Sequence, residues 1–354
     1  MPSERKIMMS TARIVEVSFG TPPLVKMAEF ANRFVADPGG DGVAQVIRNS
    51  AISTKGMALD VFLEDPRRWP TQRRMERSLT EARRLGKQVV SQALTRVALR
   101  PNEIGLWATH STTTHSAPGL DALALQLGMR ENVEILSLGP MGCYAALPAL
   151  STCANWVAVH QRPAVLLAVD VFSPHLQPPP YDTEAAVIAT LFGDGAAAVV
   201  LLPGTPGLPG LDIVDAEQIT VPAHADDLQV HVGDLGVRIA LRPSMPDIVA
   251  SAAGAPVSAL LARHGLGWTD VTWWAIHPGG RRILDRLQNA LGLPEASMAV
   301  ARGAMRDCGN TAGPAVLGVL ERLQAISPLG PGQNGVALAF GPGATVWSLL
   351  LRGV

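Results

Sequence analysis

An α/β fold built from two similar halves is what this sequence predicts, on three observations. Apolar runs of strand length alternate with longer helical runs along most of the 354 residues. The stretch Pro203-Gly-Thr-Pro-Gly-Leu-Pro-Gly210 interrupts that alternation near the middle and is richer in proline and glycine than a turn requires. On either side of it a strand–turn–helix unit carries a reactive side chain, Cys143 in the first half and His277 in the second. The halves are therefore read as residues 1–203 and 211–354, an internal duplication with no visible identity between its copies.

Residues 1–10 read as a loose start without the apolar core of a signal peptide. Alternation from Ala12 to Phe19 predicts a strand, ended by Pro22-Pro23. Residues 24–35 read as a helix, the Pro38–Gly42 run as a break, residues 43–49 as a short helix and residues 50–57 as strand or loop carrying Lys55. A loop at Pro66–Pro70 precedes a long helix over 71–99, whose charged face is solvated. A strand over 104–109, a polar run from His110 to Ser116 and a helix over 120–127 follow. The strand 133–138 then leads to Cys143 and an Ala/Leu-rich helix. Further on come a strand at 164–170, a proline-rich loop at 174–181, a helix at 183–191 and a strand at 196–202. In the second half, strands are predicted over 213–219, 271–276, 335–340 and 345–351, and a hairpin over 230–241. Helices are predicted over 246–264, 281–291 and 314–326, the last with proline in its first turn.

Composition narrows the function. Hydrophobic residues make up 47 % of the chain and charged residues 17 %, which suits a large core and a face covered in a dimer. A net charge of −1 supplies no field for nucleic acid. No apolar run is read as membrane-spanning. Cys143, Cys153 and Cys308 show neither a disulfide framework nor a metal spacing, and His110, His115 and His175 fit no common metal motif, so no metal site is expected. A reduced, cytoplasmic enzyme is the expectation.

Gly142 allows a tight turn before Cys143, and a thiol at a helix N-terminus is favoured as thiolate by the helix dipole. A buried structural cysteine is the competing reading of this residue taken alone. Likewise, His277 after a strand reads alone as a hydrogen-bonded structural residue, and Asn310 before a helix as an N-cap. Both nevertheless stand at element ends, where α/β sheets form their sites.

Taken together, Gly142-Cys143, Leu191-Phe-Gly-Asp-Gly-Ala-Ala-Ala198, His277-Pro-Gly-Gly280, Gly309-Asn310 and Phe340-Gly-Pro-Gly343, in that order, resemble the chalcone synthase-like type III polyketide synthases of the thiolase superfamily. The resemblance runs from about Ile47 to Val354. It implies a thiolase-like duplicated αβαβα layered fold, a homodimer, and no cofactor beyond CoA thioesters as substrates. By it, Cys143 takes an acyl starter, and His277 pairs with Cys143 as a thiolate–imidazolium couple. His277 and Asn310 then donate to a thioester carbonyl during decarboxylative condensation with malonyl-CoA. The expected product is a small pyrone or resorcinol. Two fixed donors on a developing enolate oxygen are worth roughly 2.7–4 kcal/mol each. The related ketoacyl-ACP synthase III enzymes share the Cys–His–Asn order but typically lack the Pro-Gly-Gly and Gly-Pro-Gly runs; a single-condensation or acyl-transfer enzyme of that kind is the alternative.

The resemblance also assigns substrate contacts. Phe192 becomes a gatekeeper, and Gly341, Pro342 and Gly343 shape the cavity wall. Thr112 and Thr113 match a Thr-Ser pair of the plant enzymes, and Phe172 and His175 match small threonines. Ile239 stands near a cavity phenylalanine, Ala117 replaces a methionine that reaches across the dimer, and Ala312 replaces a serine. Bulk at Phe172 and His175 with space at Ala117 and Ile239 suggests an aliphatic starter in a tunnel toward Ala117; neutral repacking is the other reading. For CoA phosphates the matching stretch keeps Lys55 and Arg48, a thin set that leaves an acyl-carrier protein open as donor. Lys55 as a solvated surface lysine is the competing reading.

Overall fold

The computed structural model describes residues 12–33, 37 and 39–354. The expectations for residues 1–10, for the end of the segment 24–35 and for Pro38 lie outside the described residues. Chain order begins β1 (Ala12–Gly20), β2 (Leu24–Lys26), α1 (Met27–Asn32), α2 (Gly40–Asn49), β3 (Thr54–Gly56), α3 (Thr71–Arg96) and β4 (Leu106–His110). It continues with α4 (Leu123–Gln126), β5 (Glu134–Leu138), α5 (Ala146–His160), β6 (Ala164–Asp170), α6 (Thr183–Leu191) and β7 (Gly195–Pro203). The rest is β8 (Leu211–Thr220), β9 (Leu228–Gly233), β10 (Gly236–Leu241), α7 (Met245–Arg263), β11 (Val271–Ile276), α8 (Arg281–Leu291), α9 (Glu295–Cys308), α10 (Gly313–Ile326), β12 (Asn334–Gly341) and β13 (Thr345–Gly353).

One nine-stranded sheet runs β11-β12-β13-β8-β1-β7-β6-β4-β5. Its two parts repeat a pattern. β4 pairs parallel with β6, β6 antiparallel with β7 and β7 antiparallel with β1; β11, β12, β13 and β8 are joined in the same sequence of directions. The parts meet through a short contact of β1 with β8 at Arg13–Asp212 and Ile14–Leu211. The buried Arg13 guanidinium reinforces this seam, donating from Nε to Asp212 Oδ1 at 2.7 Å and from Nη1 to the Thr205 carbonyl at 2.9 Å. Helices α5 and α10 touch strands of both parts, so they form the middle layer; α3 covers β1, β6 and β7, and α7 covers β8 and β13. This is the αβαβα arrangement. β6 is buried at every position, as a two-sided interior strand of continuous apolar residues must be.

The repeat corrects one expectation. The structural counterpart of Cys143, which precedes middle helix α5, is Asn310, which precedes middle helix α10. His277, just beyond β11, corresponds instead to His110 at the end of β4.

Other differences are local. Leu24–Lys26 is a strand because it pairs antiparallel with Thr54–Gly56, so among the described residues of the predicted helix Met27–Asn32 are the helical ones. The helix expected over 120–127 is a 3₁₀ turn followed by a single α turn. α9 was not anticipated, although Pro294 before Glu295 is a helix-start signal. By length and composition α7, with hydropathy 1.4 over an 18-residue window, does reach the threshold for a membrane span, contrary to the sequence reading. However, 61 % of that window is buried within the fold, as in a core helix.

Candidate active site

Cys143 lies in a 3₁₀ turn, Gly142–Tyr144, just ahead of α5 rather than in it. Gly142 has φ +77° and sits against the Pro342 ring: a Cβ there would stand 2.5 Å from Pro342 Cδ. Gly341 lies equally close beneath the turn, where a Cβ would be 2.9 Å from the Tyr144 ring and 3.3 Å from the Cys143 nitrogen. The Gly-Pro-Gly run between β12 and β13 thus presses on the backbone that presents the thiol. Pro342 also reaches the pocket wall, while Gly341 and Gly343 are not part of the lining.

Asn310 is held through its backbone. Its N–H donates to the Leu191 carbonyl at 2.8 Å, and its carbonyl accepts from Gly193 N–H at 3.0 Å, forming a parallel bridge with Phe192. Its Oδ1 accepts the Ala312 N–H at 2.8 Å, which turns Nδ2 toward Cys143 Sγ, 4.0 Å away. Asn310 is therefore not the N-cap of α10, a position taken by Ala312. His277 follows β11 and is anchored by its N–H on the Leu338 carbonyl at 2.8 Å. Its ring meets Phe340 edge-on, with centroids 5.2 Å apart, and Gly279 is small because a Cβ would lie 2.5 Å from that phenylalanine. Neither His277 ring nitrogen has a partner among the described residues, although the ring is fully buried.

Cys143, His277 and Asn310 line a single pocket. Part of Cys143 remains exposed, yet the surrounding protein pushes its thiol up to about 12, mainly by burial and secondarily through the Asp170 charge. Asn310 opposes this. Burial pushes His277 down to about 3. A helix dipole worth roughly 0.3–1 kcal/mol does not offset burial of that order. Burial thus opposes the charged form of both groups, against the expected thiolate–imidazolium couple. Asp170, at the end of β6, accepts N–H groups from Thr112 (2.6 Å), Thr113 (3.2 Å) and Gly313 (3.1 Å), but burial still raises it to about 7.

Phe192, Thr112, Phe172, Ile239 and Ala312 share the pocket wall with the three polar residues. Phe172 and Phe192 pack ring to ring at 4.6 Å. Asp194 of the Phe-Gly-Asp-Gly run fixes this pairing by accepting Phe172 N–H at 2.6 Å and Ser173 N–H at 2.9 Å. Apart from Pro342, the other assigned residues lie outside this pocket. The Thr113 hydroxyl oxygen accepts Val171 N–H behind the wall at 2.8 Å. Ala117 is exposed and outside the pocket. His175 is buried between Ser78 Oγ and Val237 N–H, each 3.2 Å away, and lines a neighbouring cavity rather than this one. Arg48 is an exposed residue in the last turn of α2. Lys55 is neither on the surface nor free for a phosphate: it is 1 % exposed and donates to the Ala189 and Phe192 carbonyls.

Sequence reasoning missed much of the apolar wall: Leu228 and Val230 from β9, Leu241 from β10, Met245 from α7 and Ile283 from α8. The hairpin itself was legible, but nothing in its alternation says what it faces. His110 is 1 % exposed with both ring nitrogens unpartnered among the described residues, and burial lowers it to about 4. Among the described residues no three histidine, cysteine or acidic side chains gather as a metal site would need.

Known proteins bear on this geometry. Residues 212–354 match the family model for the C-terminal domain of chalcone and stilbene synthases, and residues 25–205 the model for FAE1/type III polyketide synthase-like proteins. The 1,3,6,8-tetrahydroxynaphthalene synthase of Streptomyces peucetius subsp. caesius is 34 % identical over 77 % of this chain and 74 % of its own. The alpha-pyrone synthesis polyketide synthase-like Pks18 of Mycobacterium tuberculosis is 30 % identical over 96 % of this chain and 91 % of its own. The crystal structure of PKS-I from the brown alga Ectocarpus siliculosus superposes with a TM-score of 0.91 at 26 % identity, covering 99 % of this chain and all of that one.

Proposed function

The chain belongs to the type III polyketide synthases, and on that premise we propose how its pocket condenses acyl units. Sγ of Cys143 attacks the thioester carbonyl of an acyl-CoA starter while its proton passes to His277. CoA leaves as the thiol, taking that proton, and the acyl group stays on sulfur. A malonyl-CoA then enters with its thioester oxygen between His277 and Asn310 Nδ2. Loss of CO₂ leaves an enolate whose charge both donors hold. Its carbon attacks the Cys143 acyl carbonyl, expelling the thiolate and forming a β-ketoacyl-CoA one acetate unit longer, which can reload. Repetition and ring closure give a small pyrone or aromatic product.

The observation that carries this reading is the buried His277 ring with two unpartnered nitrogens, sharing one pocket with Asn310 Nδ2 and the thiol. A site that holds a buried imidazole without a partner is poised for an oxygen that arrives with substrate. Burial opposes a standing charge on either partner, so in this reading the proton moves as the C–S bond forms.

The aliphatic character of Leu228, Val230, Leu241, Met245 and Ile283 supports an aliphatic starter, lying toward the β9–β10 hairpin rather than toward Ala117. Arg281 and Arg282, exposed at the start of α8 beside the pocket residues Gly279 and Ile283, take over the CoA phosphates from Lys55 and Arg48. Strand β5 ends the sheet with an unpaired edge, and Ile135 on it is 53 % exposed; a second copy covering that edge gives the homodimer. Three free cysteines accord with a reducing cytoplasm.

Incubation with ¹³C-malonyl-CoA and a panel of hexanoyl-, decanoyl- and coumaroyl-CoA, with carrier-protein-bound acyl groups as a separate arm, tests the proposal. Labelled pyrones or aromatics from the aliphatic CoA starters are expected. A preference for coumaroyl-CoA removes the aliphatic pocket, and absence of labelled product from every starter removes the condensation mechanism.

A further inference from the structure

We propose that Lys55 is a positioning residue that holds Phe192 and Asn310 in register with the thiol from behind the pocket wall, and is not a contact for CoA phosphates. The inference rests on the reading of Asn310 as a carbonyl donor.

Lys55 comes from β3, a short strand paired with β2 and tied to the end of α9 by Ser53 N–H on the Arg306 carbonyl at 2.7 Å. Its side chain runs inward. Nζ donates to the carbonyls of Ala189, in the last turn of α6, and Phe192, which ends that helix, the latter at 3.1 Å. The Phe30 ring covers the ammonium at 4.0 Å. A cation here caps the negative end of a helix and satisfies carbonyls that the helix leaves open.

The stem is wedged as tightly as the head. A Cβ on Gly193 would meet Lys55 Cβ at 3.2 Å, and one on Gly309 would meet it at 3.4 Å. These glycines follow Phe192 and precede Asn310, whose backbones are bridged to each other. Lys55 therefore braces both ends of the segment that sets the Asn310 amide and the Phe192 ring. Burial lowers its amine to about 7, against the opposing charge of Asp194, yet a neutral amine still carries two N–H donors for the two carbonyls. The brace does not depend on its charge, and a fully enclosed head leaves no face for a phosphate.

The test compares Lys55→Met and Lys55→Gln with the parent enzyme on malonyl-CoA and on malonyl-N-acetylcysteamine, which lacks the nucleotide phosphates. The proposal predicts that kcat for condensation falls about 10–100-fold in Lys55→Met, by the same factor with both thioesters, while KM for malonyl-CoA stays within about twofold. Lys55→Gln, with one amide left to donate, falls less. In an Asn310→Ala background, Lys55→Met costs less than it does in the parent, because the part of its effect carried by the amide is already gone and only the part through Phe192 remains. A raised KM for the CoA thioester alone overturns the proposal, as do losses that multiply in the double variant. If Asn310→Ala leaves kcat unchanged, the reading of the site fails and the brace falls with it. If Asn310→Ala slows condensation but Lys55→Met does not, the brace alone fails. Should Lys55→Met not fold, the ratio of CoA to N-acetylcysteamine turnover in Lys55→Gln decides: unchanged supports the brace, skewed against CoA overturns it.

Discussion

Replacing Gly142 with alanine probes how the nucleophile is presented. The residue has φ +77°, where a side chain costs roughly 1–2 kcal/mol. The added methyl would lie 2.5 Å from Cδ and 2.6 Å from Cγ of Pro342. That ring sits in the tight connection of β12 with β13, so it has no rotamer to swing away, and overpacking of this sort costs roughly 1–3 kcal/mol. Gly142→Ala is expected to lose about 2–5 kcal/mol of stability by these two terms, unless the Cys143 turn shifts to relieve them. A shift of about 1 Å at the sulfur is enough to slow turnover on the order of 100-fold. Urea unfolding and steady-state product formation read the two effects. In Gly142→Ala/Pro342→Gly the contact is gone but the backbone strain stays, so only the overpacking part is recovered. A Gly142→Ala enzyme with parental stability and turnover would refute the argument that this turn is held by steric contact.

Three further outcomes follow from the same geometry. With the thiol pushed up to about 12, iodoacetamide labelling of Cys143 in the substrate-free enzyme rises about tenfold per pH unit from 6 to 9; a plateau near neutrality would reveal a standing ion pair. Asn310→Ala lowers the condensation rate by roughly 100- to 1000-fold while acylation of Cys143, followed by rapid-quench mass measurement, slows less; equal losses would assign the amide another task. Asp212→Ala leaves the Arg13 guanidinium buried without its carboxylate and destabilises the seam between the two parts of the sheet by about 3–5 kcal/mol in urea unfolding; a change under about 1 kcal/mol would show that the seam is held by other contacts.

The sequence was most informative where one physical signal dominates. The continuous apolar run of β6, the amphipathic α8 and the turn-bounded pair β12 and β13 all lie within a residue or two of expectation, because period and punctuation act locally. Cys143, His277 and Asn310 were legible as residues at element ends, and the structure gathers them in one pocket. What the sequence hid is direction. A lone lysine reads as a solvated surface cation, yet Lys55 is enclosed because α6 and Phe30 close over it. His175 was read as cavity bulk, but the turn that carries it aims its ring at Ser78 and β10. The pairing of Cys143 with His277 as duplicates failed for a related reason. Both follow a strand, and only the sheet order shows that one precedes a middle-layer helix and the other does not.

The most direct measurement is peptide mass spectrometry of the enzyme acid-quenched during turnover of hexanoyl-CoA with malonyl-CoA. The account predicts a hexanoyl adduct, and one or more adducts extended by acetate units, on the peptide carrying Cys143, with none on those carrying the buried Cys153 and Cys308 and none in Cys143→Ala. An acyl chain carried on either of the other cysteines, or product formed by Cys143→Ala at the parental rate, would contradict it.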